Sequence, residues 1–341
     1  MAYQGGLLHN NPMSTRLSVV IPNHNGGAFV ETCLKALFSV RHQPFEVIVV
    51  DDCSTDNSVE IISRFPCRLI RFERQEGASK ARNAGARNSV GDALFFIDVD
   101  CVVQDDTILH AISAYEKNRD KVIGGSYTPI AFDDTFFSNV QSIFINYSEL
   151  RNSEPDYIAA HAMVIGRDIF MKSGGFPENF APIIEDVEFS HRLKRSGQQL
   201  VMHRSILVRH IFNYDLEKSL KNAVRKSKYW TAYSIGNRDL TANSGTASIE
   251  LKVTVFCACL LWFLFLCFNY SPNAFYAAGM SIVFAFDIAV SRSLIRAFFR
   301  EKGRAFGIKA ALYYTVIYPL AVAAGGAKGV AYYLRVRRNA S

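Results

Sequence analysis

Two aspartates separated by one residue, Asp98 and Asp100, close the apolar run ALFFI, and side chains two apart on an extended backbone point to the same side. Such a pair suits a divalent cation. One carboxylate ligates the ion while the other holds a ribose or a water ligand, and Mg2+ and Mn2+ favour oxygen sites of this kind. A second acidic pair, Asp51 and Asp52, ends the run FEVIVV, and a polar set from Asn23 to Asn25 follows LSVVIP. An acid-rich loop that merely stops a strand looks the same as a bare D-x-D, and Ser54 and Asp56 also read as turn and cap residues. Capping accounts poorly for Asp51 and Asp52, which precede the cap and terminate a buried strand.

The elements that position these residues alternate. Residues 17–22, 45–50, 67–72 and 93–97 read as strands, and the stretches 27–40, 57–65 and 79–88 carry apolar residues at helical spacing. This predicts an α/β fold, a doubly wound parallel sheet whose ligands bind at the carboxyl ends of its strands. All three polar clusters fall on that edge. Further on, 123–127 and 159–165 read as extended and 184–196 as a helix, forming an acceptor-side subdomain within one soluble domain over residues 17–240, after an N-terminal extension over 1–16.

Apolar residues gather into three segments past residue 250, at 253–270, 273–291 and 306–334, each long enough to approach or cross a hydrocarbon core of roughly 30 Å. Asp287 in the second, and Pro319, Gly325, Gly326 and Lys328 in the third, argue against simple straight crossings there. The region 251–335 is thus expected to contact membrane lipids through two or three segments. The net charge of +7 comes from basic residues around these runs, Arg225, Lys226, Lys228, Arg292, Arg296 and Arg300 among them, which favours lipid headgroups over nucleic acid. The seven cysteines show no CxxC pair and no metal spacing, which fits a reducing compartment. No secretory signal opens the sequence. Positive-inside reasoning then gives a multi-pass protein of the inner (plasma) membrane with a cytoplasmic catalytic domain, the third segment either crossing once or remaining at the interface.

Taken in order, IPNHN at 21–25, VVDDCSTD at 49–56, GASKARNAG at 77–85, FIDVD at 96–100, GGF at 174–176 and EDVEFSHRLKRSG at 185–197 resemble the family-two glycosyltransferases of the GT-A fold, over roughly residues 17–229. The resemblance implies a nucleotide-sugar donor, with UDP the expected nucleotide although no residue separates it from GDP or dTDP. It maps base binding to Asp51 with Asp52 beside it, ribose and metal binding to Asp98 and Asp100, and the walls of the nucleotide pocket to Pro22, Asn23 and Asn25. Lys80 and Arg82 would face phosphate. Asp186, with Glu185, would be the general base of an inverting displacement, and His210 would join Asp100 at the cation.

Two departures bear on the acceptor: AAHAMV at 159–164, where relatives often carry glycines, and GGFPE at 174–178, where an Asp is usual before the Glu. RKSKYW at 225–230 only loosely matches the Q-x-x-R-W of processive members, which argues against a processive synthase. The expected activity is metal-dependent transfer of a sugar to a hydroxyl of a glycan or lipid-linked acceptor in envelope polysaccharide or glycolipid synthesis. Transfer to polyprenyl phosphate needs no base, so an intact Glu185–Asp186 pair weighs against it, and a non-catalytic scaffold would be expected to lose the D-x-D or the acidic pair. The aromatic stretch Phe136, Phe137, Phe144 and Tyr147 reads either as core or as contact with the membrane interface.

Overall fold

A computed structural model describes residues 15–179 and 183–340. The expected N-terminal extension lies outside these except for Thr15 and Arg16. The strands are β1 (Leu17–Asn23), β2 (Glu46–Asp51), β3 (Arg68–Arg71), β4 (Ala93–Phe96), β5 (Cys101–Val103), β6 (Val122–Tyr127), β7 (Met163–Gly166) and β8 (Leu200–His210). The first helices are α1 (Val30–Ser39), α2 (Ser58–Ile62), α3 (Ala78–Asn88), α4 (Thr107–Lys117), α5 (Phe136–Leu150), α6 (Arg167–Lys172) and α7 (Glu185–Arg195). The remainder are α8 (Leu216–Asn237), α9 (Ile249–Tyr270), α10 (Ala274–Val290), α11 (Arg292–Leu312) and α12 (Tyr318–Ala340).

One sheet holds all eight strands in the order β3-β2-β1-β4-β7-β6-β8-β5. Its first four strands are parallel, as the alternating pattern predicts, and the apolar residues of β1, β2 and β4 are buried nearly throughout, as central strands covered on both faces must be. The other half departs from the expected parallel sheet. β7 is antiparallel to both β4 and β6, and β5 is antiparallel to β8. The reason lies in α5, which does not carry the chain back across the sheet, so β7 starts at the edge where β6 ends. That reversal delivers a one-turn 3-10 helix, Ala160–Ala162, to the carboxyl edge beside the end of β4. The stretch expected to be extended from residue 159 is therefore turn first and strand second.

The C-terminal helices dock on this domain. α9 and α10 form an apolar hairpin whose outward side chains, Phe256, Phe263, Leu266, Phe275 and Ile282, are exposed. α9 is long and apolar enough to cross a membrane, with mean hydropathy 2.4, and so is the merged run Arg292–Arg338, with 1.4, although nearly half of its most apolar window is buried. Asp287 on α10 is buried, as an acid in an apolar helix must be.

The third apolar segment is broken. α11 turns at Gly303, a π-helical turn spans Tyr313–Ile317, and α12 then lies along α8. Small residues make this possible: a Cβ at Gly325 would meet Val224 O at 2.5 Å, and one at Gly329 would meet Lys228 O at 2.5 Å. The aromatic stretch on α5 packs against this same region, with Phe136 on Phe306, Phe137 on Tyr313 and Phe144 on Tyr314. The Tyr147 hydroxyl donates to Glu250 at the start of α9, and Lys302 pairs with Asp134 at 2.7 Å.

Candidate active site

The β1–β2 register sets Asn23 beside Asp51, and Asn23 Nδ2 donates to Asp51 Oδ1 at 2.7 Å. Asp51 is fully buried and also accepts from the Ser54 backbone N–H, while the Asp52 carboxylate takes the N–H groups of Glu76 and Gly77 at 2.6 and 2.8 Å. Asn25, with φ 52, accepts from Thr55, and Pro22 is half-buried above the strand end. These five residues share one corner of the edge, where the acids fix two loops.

The second cluster lies where β4 ends. Arg82 on α3 is buried and donates to Asp98 at 2.7 Å and to Glu185 at 2.6 Å, bridging acids that are far apart in sequence. Burial works against its charge, but the two carboxylates outweigh that and raise its pKa. Burial likewise opposes ionisation of Asp98, and Arg82 more than reverses it, holding that carboxyl below its ordinary range. The guanidinium is therefore a bridge between acids, and Lys80, expected to face phosphate, pairs with Glu76.

Asn83, one residue on, clamps the GGF turn. Its Nδ2 donates to Phe176 O at 2.8 Å and its Oδ1 accepts from Phe176 N at 2.9 Å, while Gly174 and Gly175 take φ of 81° and 70°, which glycine adopts without strain. Asn83→Ala would strand two buried backbone groups. We expect a loss of about 1–3 kcal/mol for each, seen as a lower melting temperature.

Glu185 and Asp186 open α7 behind Ile184, a β-branched residue held at φ 69. Backbone strain of this sort persists only where the surroundings enforce it, and it recurs at functional sites. Asp186 Oδ2 accepts from the Ala160 N–H at 3.2 Å, so the turn before β7 holds the acid in place. Burial and the charge of Glu185 push the Asp186 carboxyl up to about 6.

Pairing of β5 with β8 sets Cys101 opposite His210, which brings His210 Nε2 to 3.4 Å from Asp100 Oδ2. Burial drives the His210 imidazole down to about 3, and burial with the charge of Asp98 pushes Asp100 up to about 7. The contact is accordingly not an ion pair but a neutral imidazole beside a carboxyl, and His210 Nδ1 is buried without a hydrogen-bond partner. Among the described residues no three His, Cys, Asp or Glu side chains converge on one point.

The sequence gives no signal for His161, a single histidine in an apolar run. It stacks on Tyr127 with ring centroids 3.9 Å apart, and Nε2 lies 3.4 Å from Glu149 Oε2. Burial disfavours its charge, but Glu149 and then Asp98 and Asp186 favour it, and the net shift is upward. Tyr127 touches His210 on its other side at 4.8 Å, linking this pair to the D-x-D.

A cavity of about 690 Å3 starts at Arg82, Asp98, Glu185 and Asp186, passes His161 and Lys226, and ends among α8, α9 and α12. Pro22, Asn23, Asn25, Asp51, Asp52, Asp100 and His210 do not line it.

An α/β sheet with a D-x-D at the end of one central strand and an acidic pair at a helix start facing it has the GT-A fold. A mannosyltransferase from Pyrobaculum calidifontis, solved with GDP-Man and Mn2+, shares the fold with a TM-score of 0.57 at 14% identity, over 93% of this chain and 88% of that one. Residues 18–174 match the model for glycosyl transferase family 2. Glycosyltransferase GlyG of Streptococcus pneumoniae serotype 4 is 34% identical over 131 residues, 37% of this chain and 44% of that protein. An uncharacterized glycosyltransferase of Haemophilus influenzae is 39% identical over 103 residues, 30% of this chain and 35% of that protein. The chain thus spans less than half the length of these relatives.

Proposed function

We propose that the protein is an inverting, metal-dependent glycosyltransferase that moves a sugar from a nucleotide-sugar donor to a hydroxyl of a glycan or lipid-linked acceptor, in assembly of envelope polysaccharide or glycolipid. The observation that carries this reading is Asp186: it lines the cavity, is held by the Ala160 N–H, and has its pKa raised towards neutrality by burial and Glu185. A carboxylate so tuned accepts a proton at physiological pH.

The donor belongs at the corner of Asp51, Asp52, Asn23, Asn25 and Pro22, with its sugar towards Asp98. Asp100 and His210 fit one face of a Mg2+ or Mn2+ site: a carboxylate oxygen and an unprotonated imidazole, the remaining positions falling to phosphate oxygens and water. The ion would neutralise charge on the departing nucleoside diphosphate. The acceptor oxygen attacks the anomeric carbon from the Asp186 side as the bond to the diphosphate oxygen breaks, and the acceptor's proton passes to Asp186. Configuration inverts in this single displacement. Arg82 holds Asp98 and Glu185 in place, so Asp186 is the acid left to take the proton. A phosphate acceptor would arrive ionised and leave Asp186 without a task, which favours a hydroxyl.

The α9–α10 hairpin supports attachment to a membrane. At about 1.5 Å per residue, α9 matches the hydrocarbon thickness of roughly 30 Å. We read the chain as a multi-pass protein of the inner membrane with its catalytic domain in the cytoplasm, on the basic residues around these apolar segments.

The test is donor binding and hydrolysis by the detergent-purified full chain across UDP-, GDP- and dTDP-sugars, with and without Mn2+ or Mg2+. Metal-dependent use of one donor, reduced at least a hundredfold by Asp100→Ala, is expected. No nucleotide bound with either metal would overturn the reading in favour of a non-catalytic scaffold.

A further inference from the structure

The cavity leaving Asp186 changes character along its length. Its first part is acidic and polar. Its far end is apolar, walled by Leu251 and Val255 of α9 and by Val322, Ala323 and Ala327 of α12. α9 also carries the exposed Phe256, Phe263 and Leu266, so this end lies against a helix whose outer face is suited to lipid.

Between the two parts stands Lys226, on the face of α8 that lines the cavity. Among the described residues its ammonium makes no hydrogen bond and no ion pair, although the carboxylates of Glu149, Asp186 and Asp98 and the guanidinium of Arg225 surround it more distantly. Its side chain stays open to the cavity rather than sealed in protein, so this unpartnered ammonium is available to an anionic group that enters there. The residues around the donor corner lie outside this cavity, so a nucleotide held there does not supply that group.

We propose that the acceptor is a long-chain lipid phosphate or diphosphate bearing the sugar hydroxyl, its phosphate held by Lys226 and its hydrocarbon chain lying between α9 and α12. A free glycan satisfies neither the ammonium nor the apolar end, and a free phosphate leaves the apolar end wet. Only an amphipathic anion matches both features with its reactive hydroxyl reaching Asp186. The proposal rests on the reading of Asp186 as the base facing the acceptor.

It is tested by binding in detergent to the full chain, in EDTA so that no cation holds a diphosphate, with farnesyl diphosphate, farnesol and inorganic pyrophosphate as probes and UDP, GDP and dTDP titrated separately with Mn2+. Farnesyl diphosphate is expected to bind at least tenfold more tightly than either fragment. Lys226→Ala should erase its advantage over farnesol, Lys226→Arg should retain it, and Ala323→Trp, which fills the apolar end, should erase its advantage over pyrophosphate. Equal binding of farnesol and farnesyl diphosphate overturns the proposal, as does pyrophosphate binding as tightly as farnesyl diphosphate. A Lys226→Ala variant that weakens nucleotide binding as much as lipid binding also overturns it, because Lys226 then belongs to the donor. Should no nucleotide bind while the lipid probes behave as expected, the transferase reading falls and the lipid site stands.

Discussion

Asp186→Asn is expected to lower kcat by about 10²–10⁴-fold, the range typical for loss of a positioned general base, while the affinity for the donor nucleotide changes far less. The amide keeps the shape and still accepts from the Ala160 N–H, so the fold survives and the loss is chemical. The wild-type pH profile carries the same information. Burial and Glu185 raise Asp186 to about 6, whereas the Ala160 N–H, Arg82 and His161 pull it down. Below that value the carboxyl is protonated and cannot take the acceptor's proton, so kcat should rise with pH through about 6 and level off. Asp186→Asn should abolish that limb. A variant with near-normal kcat, or an unchanged acid limb, would remove Asp186 from the mechanism.

Arg82→Met is expected to cost about 3–5 kcal/mol of stability, because it leaves Asp98 and Glu185 facing each other without the cation between them. The readout is the melting temperature of the detergent-solubilised chain. The sign of the pH effect follows from Asp98, whose folded pKa is depressed. A carboxylate of that kind stabilises the fold above the ordinary aspartate pKa and loses its contribution as pH falls through the folded value. The difference between wild type and Arg82→Met should therefore be full at pH 7 and shrink on acidification. Arg82→Lys should recover part of the loss only, since an ammonium lacks the fork that reaches two acids at once. Equal melting temperatures at pH 7 would show that the bridge carries no stability.

Much of the polar corner at the strand ends was legible because β1, β2 and β4 are covered on both faces and so appear as unbroken apolar runs, each ending in its polar cluster. The parallel half of the sheet followed from the same pattern. What did not follow depends on contacts across long separations. Nothing local in GASKARNAG shows that Arg82 reaches Glu185, or that Asn83 holds Phe176. His161 reads as core until β7 is seen to run antiparallel and bring it to the edge. Lys226 looks like one more basic residue before an apolar segment. Gly325 and Gly329 read as interruptions of a crossing, whereas they let α12 meet α8 backbone to backbone.

That close meeting makes α8 a shared wall. One side of it lines the cavity and an adjoining groove at Val224 and Lys228 receives α12, so the two halves of the chain are not separable parts. A chain ended after Asn237 would keep every acid of the site, yet it would uncover the groove of α8 and lose the α9 and α12 side of the cavity. Solubility gained by such trimming would come with a changed cavity and, on the proposed function, a changed acceptor preference.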